Sequence, residues 1–442
     1  MELLQPVIQP YAWGSRHGIA QLQGRPVPAP GPEAELWLGA HPSGPSGVAG
    51  TTLDALIAAD PDRELGPSCV ARFGPRLPFL LKVLSAEAAL SIQLHPSRAQ
   101  AEAGFRAENE RGLPVGDPAR NYVDDWPKPE LLCALTPFEV LTGLRSPSGA
   151  AALLRALAVG PLQPLAAGLE EATGPQALAG ALASILTWPD PEDLLGEVVP
   201  ACARLASGSG PYAAAAGAVV RAASEHPGDL GVAAMLLLRH AVLAPGQALS
   251  IPAGGLHAYL HGTGIEVMAN SDNVIRGGLT GKHVDVPELL KLLDPAVTVP
   301  VLSPAVLGHG ITSYPTPIPE FRLFAAHLAE PEVALPVAGP RIALCTDGAA
   351  ALRSDSGQAV GLARGESCFV SAADGPLRAS GPARLFLAAP GPAPPLPTAS
   401  GFPSPPPPAS LTHRPRLPAA PSGRRYHGGV PDAVGGRVPV RI

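Results

Sequence analysis

Short apolar runs broken by Pro and Gly fill residues 1–145, and that spacing leaves room there for strands rather than long helices. Leu77–Leu84 and Ala89–Leu94 read as strands. Between 146 and 240 the texture changes. Ala and Leu dominate, breakers stand further apart, and stretches such as Ala150–Leu157 and Ala213–Ser224 read as helices of an insertion or separate helical domain. Strand signals return at Ala248–Ile251, Leu256–Leu260 and Ile265–Met268, with Pro252-Ala253-Gly254-Gly255 and Gly262-Thr263-Gly264 supplying turns. Residues 287–293 read as a helix. From about 320 to 390 short strands recur, at Arg341–Cys345, Ala350–Arg353, Ser367–Val370 and Ala383–Ala388, the pattern of a small all-β sandwich or barrel. From 391 to 442 the chain is Pro-rich, with Pro405 to Pro408 consecutive, and it is expected to be disordered because it lacks the apolar surface to form a core.

Charge and cysteine usage exclude several classes. The total charge is -6, but six arginines against Asp432 give the stretch from Gly391 a charge of +5 and leave −11 for the rest. So acidic a body repels nucleic acid. It repels a phosphorylated sugar too, so such a substrate would need a few well-placed cations. Lysine is scarce: Lys82, Lys128, Lys282 and Lys291 stand among 31 basic residues. Under a drift from Lys to Arg, surviving lysines should be enriched where Arg cannot substitute. Cys69, Cys133, Cys202, Cys345 and Cys368 are scattered and odd in number. They argue for a reducing cytoplasm and against a disulfide framework or a Cys-rich zinc site. No run of about 18 apolar residues lacks a charge, and no signal peptide is read at the N-terminus.

Three segments carry chemistry. On a strand, Ser91, Gln93 and His95 share one face while Ile92 and Leu94 take the other. Three polar groups in an apolar neighbourhood need partners, and a metal ion is one kind; a solvent-facing strand is the plainer explanation of this segment alone. Lys128-Pro129-Glu130 puts an ammonium and a carboxylate on one face, which is usually a surface ion pair. A Gly-rich turn then delivers His257 and Tyr259 onto one face, and Glu266, Met268 and Asn270 follow, then Ser271-Asp272-Asn273 and Arg276. Together Gln93, His95, Glu130 and His257 offer two imidazoles, a carboxylate and an amide oxygen, a set that suits zinc. Four protein ligands with room for water or substrate fit a catalytic role better than a closed structural one. Other histidines have plainer explanations: His226, His413 and His427 lie at a helix end or in the tail, and His41, His261 and His283 in turns.

These stretches resemble the type I mannose-6-phosphate isomerases, zinc enzymes of the cupin superfamily. The resemblance rests on Gln9-Pro10-Tyr11-Ala12-Trp13-Gly14, Ala34-Glu35-Leu36-Trp37-Leu38-Gly39-Ala40-His41-Pro42, Leu77-Pro78-Phe79-Leu80-Leu81-Lys82-Val83-Leu84-Ser85 and Leu90 to Pro96. It continues through Lys128-Pro129-Glu130, Leu135-Thr136-Pro137-Phe138-Glu139, His257-Ala258-Tyr259-Leu260 and Ser271 to Thr280, in the family's order over about residues 5–290. It implies a mainly β fold with a helical insertion. A catalytic cupin (jelly-roll) domain would be split over 1–145 and 241–320 around a helical domain at 146–240, with a smaller C-terminal cupin at 321–390. It implies one zinc per chain on Gln93, His95, Glu130 and His257, catalytic places for Arg276, Glu266, Lys128, Tyr259 and Asp272, and substrate contacts from Lys82, Ser91 and Trp13. It further implies a cytoplasmic monomer that handles a sugar phosphate, touches neither nucleic acid nor membrane, and feeds mannose and GDP-mannose metabolism. One departure matters. The family commonly has Asn-His before its Lys-Pro-Glu, whereas this chain has Trp126-Pro127, so no ring-opening role can rest on that His here.

The chemistry so implied moves a proton between C1 and C2 of an aldose or ketose phosphate through an enediol-type intermediate. Zinc would hold the developing oxyanion. Glu266 is the first candidate for base or shuttle and Asp272 the second, with a metal-bound water as the alternative. Arg276 would stabilise enediolate charge or bind phosphate, and Lys82 and Lys128 would neutralise phosphate or donate to a sugar oxygen. A non-catalytic cupin that binds a metal and a sugar phosphate would not need Lys82, Lys128 and Arg276. An iron dioxygenase would favour two histidines and a carboxylate without the amide of Gln93.

Overall fold

The computed structural model describes residues 1–329 and 332–392, and Met1–Pro394 form one compact unit. The Pro-rich tail expected from 391 lies, after its first two residues, outside the described residues. The architecture is the expected one: mainly antiparallel β with a helical insertion between Pro147 and Leu237. No helix of the described residues is long and apolar enough to cross a membrane.

One strand, His257–Ala269, organises the eleven-stranded first sheet. Its first half pairs with Phe138–Leu144 and, at His257, with Gln93. Its second half pairs with Phe79–Ala86 on one side and Glu130–Ala134 on the other. The sequence reading places two strands here, separated by a turn at Gly262-Thr263-Gly264. The structure instead runs a single strand through them. Gly262 has φ 130, and a Cβ there would stand 2.8 Å from the Pro137 carbonyl oxygen. The glycine therefore bends the strand from one set of partners to the other rather than reversing it. The same correction applies to Arg341–Cys345 and Ala350–Arg353, which are one strand, Arg341–Ser354, with a register shift between Cys345 and Asp347. Of the strand expected at Ala89–Leu94, only Gln93–Leu94 enters the ladder.

Alternation on these strands decides what faces what. Leu94, Ala258 and Ile275 turn outward into a core shared with helical residues such as Leu153, Leu182 and Leu236. Gln93, His257 and Arg276 lie on adjacent strands in direct register, His257 opposite Gln93 and Gln93 opposite Arg276. The helices are thus a plate behind the short strands that carry the polar groups. They are stopped and started by ordinary devices, such as Ser146 accepting the Gly149 N–H and Asp190 accepting those of Glu192 and Asp193, each ahead of a Pro.

The second sheet has ten strands, centred on Arg341–Ser354 and Ala383–Ala389. Its far edge is supplied by the other end of the chain: Glu2–Leu3 pair with Phe369 and Cys368. The two sheets share a core in which Leu81, Val83 and Ile265 meet Phe321, Ile342 and Phe386. One polar joint crosses this core. The Tyr314 hydroxyl donates to Gly246 O at 2.9 Å and lies 3.0 Å from Cys133 Sγ, and burial pushes both groups' pKa values up. Tyr314→Phe leaves the Gly246 carbonyl without that donor. It should therefore lower stability by about 1–3 kcal/mol in urea unfolding with the denaturant slope unchanged.

Candidate active site and metal centre

His95, Glu130 and His257 converge, and one ligand atom of each lies within 4.8 Å of the others. All three are buried. The hydrogen bonds behind the imidazoles fix what they present. His95 Nδ1 lies 2.9 Å from the Asn273 carbonyl and His257 Nδ1 3.0 Å from that of Gly255. A carbonyl only accepts, so each Nδ1 carries the proton and each Nε2 points a bare lone pair at the centre. There they meet the carboxylate of Glu130, with His95 Nε2 at 3.3 Å and His257 Nε2 at 3.4 Å. Lone pairs facing an anion repel unless a cation sits between them. His95 Nε2 and Glu130 Oε2 have no hydrogen-bond partner although both are buried. Gln93 stands at the edge, its amide nitrogen 3.5 Å from His257 Nε2, and half a turn about the last bond offers Oε1 to the same point. This donor set fits a borderline metal such as zinc.

Electrostatics agree with the geometry. Burial, with Lys128 adding to it, pushes His95 down to about 4, which favours the neutral imidazole a metal would need. Burial alone would raise Glu130, but Lys128 and the imidazoles outweigh it and hold the carboxyl well below its usual range. Lys128 forms an ion pair with Glu130.

A second charged cluster adjoins the first through sheet register. Lys82 is opposite Glu266 on one side and Trp37 on the other. Its ammonium lies 3.4 Å from Glu266 and 3.5 Å from Glu35. Burial opposes that charge, but the two carboxylates outweigh burial and raise the pKa of Lys82. Glu35 also accepts from Trp37 Nε1 at 2.6 Å, and Glu266 from the Tyr259 hydroxyl at 2.8 Å. Burial and the nearby Glu130 raise Glu266. Burial and Glu266 raise Tyr259, which keeps it a donor.

The remaining expected residues sit around this core. Asp272 has a side chain 46% exposed, and its carboxylate lies 3.4 Å from His41 Nε2; His41 outweighs the effect of burial and holds Asp272 below its usual range. Arg276 is half-buried and enters no ion pair among the described residues, and burial lowers its pKa without threatening its charge. Ser91 is half-buried, two residues before Gln93. Trp13 is half-buried against the cluster that contains Tyr259 and stacks on Tyr11 at 5.8 Å between ring centres.

Sequence reasoning did not single out four neighbours: Glu35, Trp37, His41 and Lys282. Glu35 and Trp37 alternate on one strand, the signal that found Gln93 and His95. His41 follows that strand and is nearly fully buried, its Nδ1 accepting the Ser43 N–H. Lys282 lies over the Tyr11 ring and is close enough to Arg276 to be depressed by it as well as by burial. A cleft of about 660 Å³ lined by His17, Glu87, His261 and Arg364 holds none of these residues, whereas one of about 420 Å³ is lined by His41, Asp124, Trp126 and Asp272.

Known proteins are similar to this chain in sequence and fold. The description "Phosphomannose isomerase type I, catalytic domain" fits residues 1–147. The mannose-6-phosphate isomerase of Salmonella typhimurium is 37% identical over 393 residues, 87% of this chain and 98% of the relative. That of Escherichia coli is 36% identical over the same shares of each chain, and that of Emericella nidulans 34% over 73% of this chain and 78% of its own. A solved mannose 6-phosphate isomerase described as bound with zinc and yttrium superposes with a TM-score of 0.79 at 35% identity, covering 88% of this chain and 99% of that one. The apo form from Salmonella typhimurium gives 0.80 with the same identity and coverage. At this identity and coverage, the chain belongs to the type I phosphomannose isomerase family.

Proposed function

We propose that this chain interconverts mannose 6-phosphate and fructose 6-phosphate, with one zinc ion held by Gln93, His95, Glu130 and His257. The observation that carries the reading is the pair of bare imidazole nitrogens aimed at a buried, ionised carboxylate. Zinc bound there would supply Lewis acidity toward a sugar oxygen. The unpaired, buried cysteines suit a reducing compartment.

The residues of the chain divide the remaining work. A base must lie within hydrogen-bond reach of the C–H it attacks. Both oxygens of Glu266 are engaged, one by Tyr259 and one by Lys82, whereas Asp272 is partly open and held ionised by His41. Asp272 is therefore the carboxylate a sugar can reach, and Glu266 works through Tyr259 and Lys82. Lys128 balances Glu130 and keeps further N–H donors for a sugar oxygen. The charge of Lys82 is already matched by Glu35 and Glu266. The phosphate consequently falls to Arg276 and Lys282, whose mutual repulsion it relieves. Pro127 takes no part in ring opening, since it has no titratable group.

Purified protein should contain about one zinc per chain, and His257→Ala or Glu130→Ala should lose both metal and turnover of mannose 6-phosphate to fructose 6-phosphate. A metal-free, fully active protein would sink the reading. Arg276→Ala should keep its zinc yet raise KM far more than it changes kcat, the effect of losing a phosphate contact made equally in ground and transition states. Lys282→Ala should raise KM with kcat near the starting value, because it removes binding common to ground and transition states. An unchanged KM would place the phosphate elsewhere.

A further inference from the structure

We propose that Asp124 is a positioning residue whose carboxylate clasps Ser271-Asp272-Asn273, so that Asn273 orients the metal ligand His95 and Asp272 faces the substrate. The inference rests on the metal site proposed above. Asp124 Oδ1 accepts from the Ser271 hydroxyl at 2.8 Å, from the Trp126 N–H at 2.8 Å and from Asn273 Nδ2 at 3.1 Å. Oδ2 accepts the Asp272 N–H at 2.9 Å. Every partner is a neutral donor, so this largely buried anion is held by hydrogen bonds alone. Such an arrangement is costly unless each donor is placed for it.

What it holds are the two groups that matter. The Asn273 carbonyl is the acceptor behind His95 Nδ1. The Asn273 side chain, fully buried, ties back: Nδ2 lies 2.8 Å from the carbonyls of both Asp124 and Trp126, and Oδ1 accepts the N–H of Val123. Because Trp126 leads through Pro127 into Lys128 and Glu130, the clasp joins the segment carrying the metal carboxylate to the segment orienting a metal imidazole. Groups hydrogen-bonded behind a ligand set its orientation and basicity.

The chemistry of substitution separates two effects. Asp124→Ala removes every acceptor at once. Asp124→Asn keeps one oxygen for the three donors at Oδ1 and turns an NH2 against the Asp272 N–H. The experiment measures zinc affinity by competition with a chromophoric chelator, thermal unfolding of the metal-free proteins, and steady-state kinetics. Wild type must bind zinc first; if it does not, the metal reading fails, not this one. Asp124→Ala should bind zinc roughly 10–100-fold more weakly, the usual loss for such a partner. Asp124→Asn should keep zinc affinity within about threefold yet lose kcat, a split a merely structural carboxylate would not give. Zinc affinity unchanged in Asp124→Ala, with only the apo unfolding temperature lowered, overturns the proposal. Should Asp124→Ala fail to fold, Ser271→Ala removes a single donor and should weaken zinc binding in the same direction; no change there overturns it equally.

Discussion

Charges taken out of water are tolerated only when they are matched, because the desolvation cost is several kcal/mol per ion. The centre of this protein buries three carboxylates, Glu35, Glu130 and Glu266, with two ammoniums, Lys82 and Lys128. One negative charge is left over, and two imidazoles point lone pairs toward it. A divalent cation turns this deficit into one net positive charge inside a body that is otherwise strongly acidic. Most of the sheet can be understood as a device for holding that balance. Lys82 can touch both Glu35 and Glu266 only because its strand is paired on each side, and a one-residue slip would turn the ammonium to the opposite face.

The parts legible in the sequence were those that depend on local rules. Period-two alternation puts Gln93 and His95 on one side and Leu94 on the other, and the structure keeps that division. Helices between 146 and 240 follow from Ala and Leu content and widely spaced breakers. Pairing between distant strands leaves no local trace, and the errors cluster there. Gly262 reads as part of a turn and residues 346–349 fall between two expected strands, yet both stretches lie inside strands whose halves are secured by different neighbours. His41 reads as a turn residue because nothing near it in sequence reveals Asp272, 231 positions on, as its partner. Lys282 enters the proposed phosphate site only because Arg276 has no acidic partner among the described residues while Lys82 has two.

Trp126-Pro127 is the point where this chain leaves the pattern of its family. The indole is buried, with the Arg76 guanidinium 4.3 Å and that of Arg98 5.0 Å from its ring, and Phe73 packs nearby. Its carbonyl accepts from Asn273 Nδ2 at 2.8 Å. Two prolines, at 127 and 129, flank Lys128 and restrict its backbone. A polar pair that could titrate has been replaced by a rigid wedge. In the proposed reading, proton handling near the sugar ring rests on groups anchored elsewhere, and Asp272, 3.4 Å from His41 Nε2, is the open one.

The pairing of Glu2–Leu3 with Cys368 and Phe369 has a consequence in time rather than in space. On a ribosome the first strand emerges when its partner has not been synthesised, and more than three hundred residues must follow before the ladder can close. Closing so long a loop is entropically slow, and unpaired strand edges are the places where partly folded chains associate. The catalytic sheet, the helical plate and most of the second sheet can assemble meanwhile from contacts already available. Glu2 and Leu3 are thus among the last residues to be fixed, and a chain stalled before residue 368 would carry a nearly complete centre with the Glu2–Leu3 strand loose.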